Sequence, residues 1–96
     1  MKFVNYVAYV RDEVAELRPV HRAYAARLMA EGKLVTGGPF LDGSGALFIY
    51  EAASLAEADT LVRDDPYTQG GAIASYALSE WQMISVNLEL MRPSTP

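Results

Sequence analysis

The order in which the apolar spacing changes along this chain constrains its fold more than any other feature. Phe3 to Val10 is dense in Val, Tyr and Phe, residues that suit a pleated, half-buried surface. Asn5 is the one polar interruption, so the run predicts a central strand covered on both faces. Arg11-Asp12-Glu13 ends it. Leu17, Val20, Tyr24 and Leu28 then recur at helical spacing, with Pro19 fitting a first turn and Gly32 a left-handed stop. The expected helix runs from about Arg18 to Glu31.

The period then returns to two. Leu34-Val35-Thr36 opens a strand that Gly37-Gly38-Pro39 interrupts, and a proline without an N–H places that end at an edge or a bulge. Asp42-Gly43-Ser44-Gly45 is a turn, and Ala46 to Glu51 returns as the second arm of a hairpin. Ser54 with Glu57 three residues on is a capping box. Leu55, Ala58, Leu61 and Val62 form the stripe of a second helix that must end before Pro66. Ile73 to Met83 reads as the last strand, and Val86 to Met91 as a further short strand or a dimer-contact arm. Strand, helix, strand, strand, helix, strand is a split βαβ arrangement. It predicts an α+β domain with a four-stranded antiparallel sheet and both helices on one face. The other face needs cover, and a two-fold homodimer supplies it most simply.

At 96 residues the chain fits one domain, residues 1–91, followed by a flexible tail at Arg92 to Pro96. Lacking cysteine, it can form neither a disulfide nor a thiolate nucleophile, which suits a cytoplasmic location. With one histidine it cannot build a multi-histidine zinc site, and no metal or organic cofactor is expected. A net charge of −4 with scattered basic residues argues against nucleic acid. No apolar run spans a membrane, and Met1 to Val7 lacks the apolar core of a signal peptide.

His21 carries the chemical interest. On a helical wheel, Leu17, Tyr24, Ala25 and Leu28 all fall within about 60° of it, so the imidazole sits inside an apolar stripe. It is either a core histidine bonded to a carbonyl or a general acid–base facing a pocket. Asp64-Asp65-Pro66-Tyr67 is either a polar helix end or the source of a carboxylate that holds a ring nitrogen of His21 and fixes its tautomer. Gly37-Gly38 is either a bulge or a place where a ligand approaches backbone N–H groups.

Taken in order, Arg18-Pro19-Val20-His21, Glu31 through Pro39 (EGKLVTGGP), Ser54 through Ala58 (SLAEA) and Asp65-Pro66-Tyr67 resemble the YciI-like, or YCII-related, family. The resemblance spans about residues 3 to 83. It implies a ferredoxin-like βαββαβ fold that dimerises as an α/β barrel, and a His–Asp pair carried by His21 and Asp65. The expected pocket walls are Tyr9, Arg18, Thr36, Gly37, Gly38, Pro39, Pro66 and Tyr67. The resemblance further implies a small cofactor-independent lyase or isomerase, dehydrochlorinase-like, moving a proton on a small aromatic or quinol-type substrate. Arg18 or an N–H near Gly38 would steady the oxyanion. The alternative is a non-catalytic dimeric module that binds a small molecule.

Overall fold

In the computed structural model, which describes residues 1–95, the first strand is β1, Lys2–Tyr9. It is followed by α1, Arg11–Ala30, and by the hairpin of β2, Leu34–Pro39, and β3, Gly45–Glu51. Then come α2, Leu55–Arg63, a one-turn helix α3, Pro66–Gln69, and β4, Ile73–Trp81. Every strand pairing is antiparallel and the sheet order is β2-β3-β1-β4. This is the ferredoxin-like α+β arrangement. Among the described residues no helix is long and apolar enough to cross a membrane.

α1 begins seven residues before the expected Arg18. Val14 and Leu17 extend the stripe of His21, Tyr24 and Leu28 backwards at alternating spacings of three and four. Val14 is buried against Tyr67 and Ala72, with Leu17 packed alongside. Asp12 and Glu13 occupy the first turn, where negative charge meets the positive helix end. Pro19 is therefore an interior residue. It deprives the Ala15 carbonyl of a donor, and the packing of that first half holds the helix through the defect. Gly32, with φ of 73°, closes the helix as expected.

Strand alternation sends Phe3, Asn5 and Val7 of β1 to the helix side, beside Phe48 and Tyr50 of β3. Val7, Tyr24, Leu28, Phe48, Tyr50, Leu61 and Val62 form the main core. Tyr24 donates its hydroxyl to the Leu61 carbonyl at 2.6 Å and so ties α1 to α2. Asn5 is buried among them, and its Oδ1 is the one enclosed side-chain oxygen or nitrogen without a partner among the described residues.

Ser54 Oγ accepts from Glu57 N–H, while Glu57 reaches back to Ala53 N–H, so the box closes one residue early. Leu55, expected in the buried stripe, is exposed; Ala58, Leu61 and Val62 carry the contact. β2 is an edge strand running unbroken through Gly37 and Gly38, and its irregularity falls between Leu34 and Thr36. Residues 82–87 leave the sheet without regular structure, and Leu88–Leu90 forms a 3-10 turn, so of the two expectations for Val86 to Met91 the short strand is not formed.

Among the described residues the second sheet face is covered only in part: Ile49, paired with Val4, is buried there. Tyr6 is 57% exposed there, with Phe40 against its ring and Leu47 and Trp81 also exposed. The sequence reading of β1 as covered on both faces thus holds fully for the helix face and in part for the other.

Candidate functional site

α1, β2 and the C-terminal segment enclose a cavity of about 700 Å³. Val14, Arg18, Arg22, Ala25 and Met29 of α1 project onto it, each about one turn from the next. Thr36, Gly37, Gly38 and Pro39 of β2 form the opposite wall. Tyr9 and Phe48 enter from β1 and β3, Tyr67 from α3, and Leu90 to Ser94 close one side.

Two residues of the sequence Asp65-Pro66-Tyr67 hold His21, one in the ring plane and one across its face. Pro66 occupies the first turn of α3, where its missing N–H costs nothing, and Asp65 is the N-cap. Asp65 Oδ1 accepts from Tyr67 N–H at 2.9 Å. That cap fixes the carboxylate, whose two oxygens lie 2.8 and 3.0 Å from His21 Nδ1. A carboxylate only accepts, so Nδ1 carries the hydrogen, and in the neutral ring Nε2 holds the lone pair. Tyr67 stacks on the imidazole, 3.9 Å between centroids and 14° between planes. Phe48 meets the ring edge at 5.6 Å. The ring is only 8% exposed, yet it forms part of the cavity wall. The arrangement gives a rigid, oriented imidazole with one nitrogen free of the carboxylate, suited to taking and returning a proton.

Tyr9 meets Tyr67 edge-on at 5.5 Å. Burial first, then the nearby Tyr67 and Asp65, push its hydroxyl up to about 12, with Arg18 opposing. At neutral pH it therefore faces the cavity as a phenol that can donate a hydrogen bond. Gly37 is required by Phe48: a Cβ there would lie 2.4 Å from Phe48 Cδ1. Gly38 meets nothing within 4 Å.

Of the expected pocket walls, Tyr9, Arg18, Thr36, Gly37, Gly38, Pro39 and Tyr67 line the cavity. Pro66 does not, because its ring serves the first turn of α3 instead. Asp65 lies behind His21 rather than on the wall, and Asp64 closes α2. Arg22, Phe48 and residues 90–94 were not anticipated. Arg22 had a usable signal, one helical turn from Arg18. Phe48 and the C-terminal segment had none. Among the described residues no three His, Asp or Glu side chains converge as a metal site.

The YCII-related domain matches residues 1–82. The chain belongs to the YCII-related family. Within it, the uncharacterized protein YjpA of Bacillus subtilis is 35% identical over 63 residues, 66% of this chain and 73% of that protein. Among solved structures, the chain is similar to the 5-chloro-2-hydroxyhydroquinone dehydrochlorinase of Burkholderia phenoliruptrix, determined in complex with 2,5-dihydroxybenzoquinone. The TM-score is 0.75 at 29% identity, over 85% of this chain and 94% of the enzyme. A Pseudomonas aeruginosa protein shares the fold at 10% identity, with a TM-score of 0.59 over 88% and 93% of the two chains.

Proposed function

We propose that this YCII-related chain is a small lyase- or isomerase-type enzyme that moves a proton on a planar, quinol-like substrate, using His21 with Asp65. One observation carries the reading: His21 sits on a cavity wall with Nδ1 gripped by a buried carboxylate and Nε2 free of it. In the proposed reaction Nε2 takes a proton from an O–H, or from a C–H beside a carbonyl. The electron pair left behind moves into the ring. It is protonated at a ring carbon by the same imidazolium; where that carbon bears a leaving group such as chloride, loss of a second O–H proton to Nε2 then sends electrons through the ring and expels it as the quinone forms. Asp65 holds the imidazolium in place and stabilises its charge. Arg18 and the Tyr9 hydroxyl face the same space and are suited to steady the developing oxyanion. None of these steps requires a cofactor. The likeness to a dehydrochlorinase at 29% identity supports the chemistry and leaves the substrate open.

The open sheet face, with Tyr6, Leu47 and Trp81, supports the further proposal that the chain pairs with a second copy of itself.

The test follows two reactions with the intact protein. One is chloride release from 5-chloro-2-hydroxyhydroquinone; the other is solvent-deuterium exchange into the ring of 2,5-dihydroxybenzoquinone. The expected result is acceleration over buffer that His21→Gln lowers by about 10²–10⁴-fold. Rates equal to buffer, or unchanged in His21→Gln, reject the proposal. Ring binding that persists in His21→Gln without any exchange in the native protein favours a non-catalytic binding module.

A further inference from the structure

The chain has twelve acidic and eight basic side chains, so a basic group without an acidic neighbour is conspicuous. Lys2 pairs with Glu51, Arg27 and Lys33 with Glu31, and Arg63 with Asp59. Arg11 donates to the Asp42 carbonyl. The remaining three, Arg18, Arg22 and Arg92, form no ion pair among the described residues, and all three line the His21 cavity.

Arg18 and Arg22 lie one turn apart on one face of α1. Like charges at that spacing repel. No acid relieves them at the helical neighbour positions, which hold Val14, Ala15, Pro19, His21, Ala25 and Ala26. Arg92 comes from the other end of the chain to the same cavity. Three exposed guanidinium groups without an ion pair therefore border a hollow whose remaining walls include the rings of Tyr9, Phe48 and Tyr67. Guanidinium forks match paired anionic oxygens, and aromatic walls match a flat ring.

From this geometry we infer that the cavity selects a small planar ring bearing negatively charged oxygen, with Arg18, Arg22 and Arg92 as its anion-recognition groups. This rests on the reading of the cavity as a small-molecule site and names the charge of what enters it. The negative oxygen has two chemical sources, a carboxylate attached to the ring or an ionised ring oxygen.

The test measures affinity of the intact protein for three rings of similar size. These are 2,5-dihydroxybenzoate for the carboxylate, 2,5-dihydroxybenzoquinone for the ring oxyanion, and uncharged hydroquinone. At about 20 mM salt at least one anion is expected to bind about tenfold more tightly than hydroquinone, and the preference should shrink at about 300 mM. Arg18→Gln, Arg22→Gln and Arg92→Gln should each weaken the preferred anion about three- to tenfold and leave hydroquinone unchanged. The Arg→Lys counterparts should recover part of the loss. The preferred anion identifies the source of charge. Equal affinity for charged and neutral rings, no binding of any ring, or indifference to all three glutamine variants overturns the inference. His21→Gln separates the two proposals. Charge preference retained in that variant, with no exchange catalysed by the native protein, supports the anion site and removes the enzyme. Catalysed exchange without charge preference does the reverse.

Discussion

Tyr67 lies face to face with His21, 14° from parallel, and reaches it from the same one-turn helix whose cap, Asp65, holds the ring nitrogen. A segment of three residues thus fixes the imidazole both in its plane and across it. This accounts for a helix of four residues sitting at the site: α3 is too short to be stable alone, and its contacts with α1 maintain it.

Truncating Tyr67 should cost stability first. Tyr67→Ala removes a ring that is 3% exposed and should destabilise the fold by about 3–5 kcal/mol. Tyr67→Phe keeps the stack and should stay within about 1.5 kcal/mol of the native protein. Urea denaturation of both variants measures the difference.

Asp65→Asn and Asp65→Ala should separate the two duties of that side chain. Asparagine can still cap α3, so its stability loss should be the smaller; alanine loses the cap as well, a further cost of about 1 kcal/mol. Both release Nδ1. Because His21 is the only histidine, its ring nitrogens give one readable set of signals in ¹⁵N spectra. The native protein should show the Nδ1–H form, and both variants a mixture of tautomers.

The two glycines of β2 should respond in opposite ways to the same methyl group. Gly37→Ala drives a Cβ into Phe48 and should cost about 1–3 kcal/mol, with weaker ring binding as Phe48 shifts against His21. Gly38→Ala meets open space and should be neutral or stabilise by up to about 1 kcal/mol. Thermal unfolding and ligand titration of the pair check this.

At high pH the fold should weaken through Tyr9 and Tyr24. Burial leads in pushing both hydroxyls from 10 up to about 12. Their protonated forms are therefore favoured in the folded chain. The contribution is complete below pH 10 and lost as pH rises toward 12. Tyrosinate absorbance should show Tyr9 and Tyr24 ionising late, together with Tyr50, which burial holds up, and Tyr76, which its bond to Asp59 holds up; Tyr24→Phe should remove one late group along with the bond to Leu61.

A charge on the open sheet face should control assembly. Tyr6→Lys is expected to leave the core intact, since Tyr6 faces away from the helices, and to abolish the proposed pairing with a second copy, read as a lower mass in sedimentation experiments.

The order of elements could be read from the sequence because the period of the apolar residues changes cleanly at Arg11, Gly32, Ser54 and Gly71. The start of α1 could not. Pro19 imitates a first-turn proline, and only the packing of Val14 against Tyr67 and Ala72 reveals that the helix is already under way. The prospect of a His–carboxylate contact was visible in the residues, and the family resemblance selected Asp65 over Asp64. The contact itself spans 44 positions and depends on α3, a helix absent from the sequence reading, which ends the second helix before Pro66 and places none after it. The Asp65-Pro66 dipeptide does carry the signature of a cap followed by a first-turn proline. The cavity wall supplied by residues 90–94 was illegible, because nothing in an irregular segment encodes where it crosses the fold.

The double employment of the Asp65 carboxylate joins two events that most binding sites keep apart. Fraying of α3 would withdraw the cap, the stacking ring and the carboxylate bound to His21 together, so partial disorder there leaves no intermediate grade of order at the ring. A molecule that lodges beside the imidazole should accordingly slow amide-hydrogen exchange at Tyr67, although that N–H points at the carboxylate and never meets the guest.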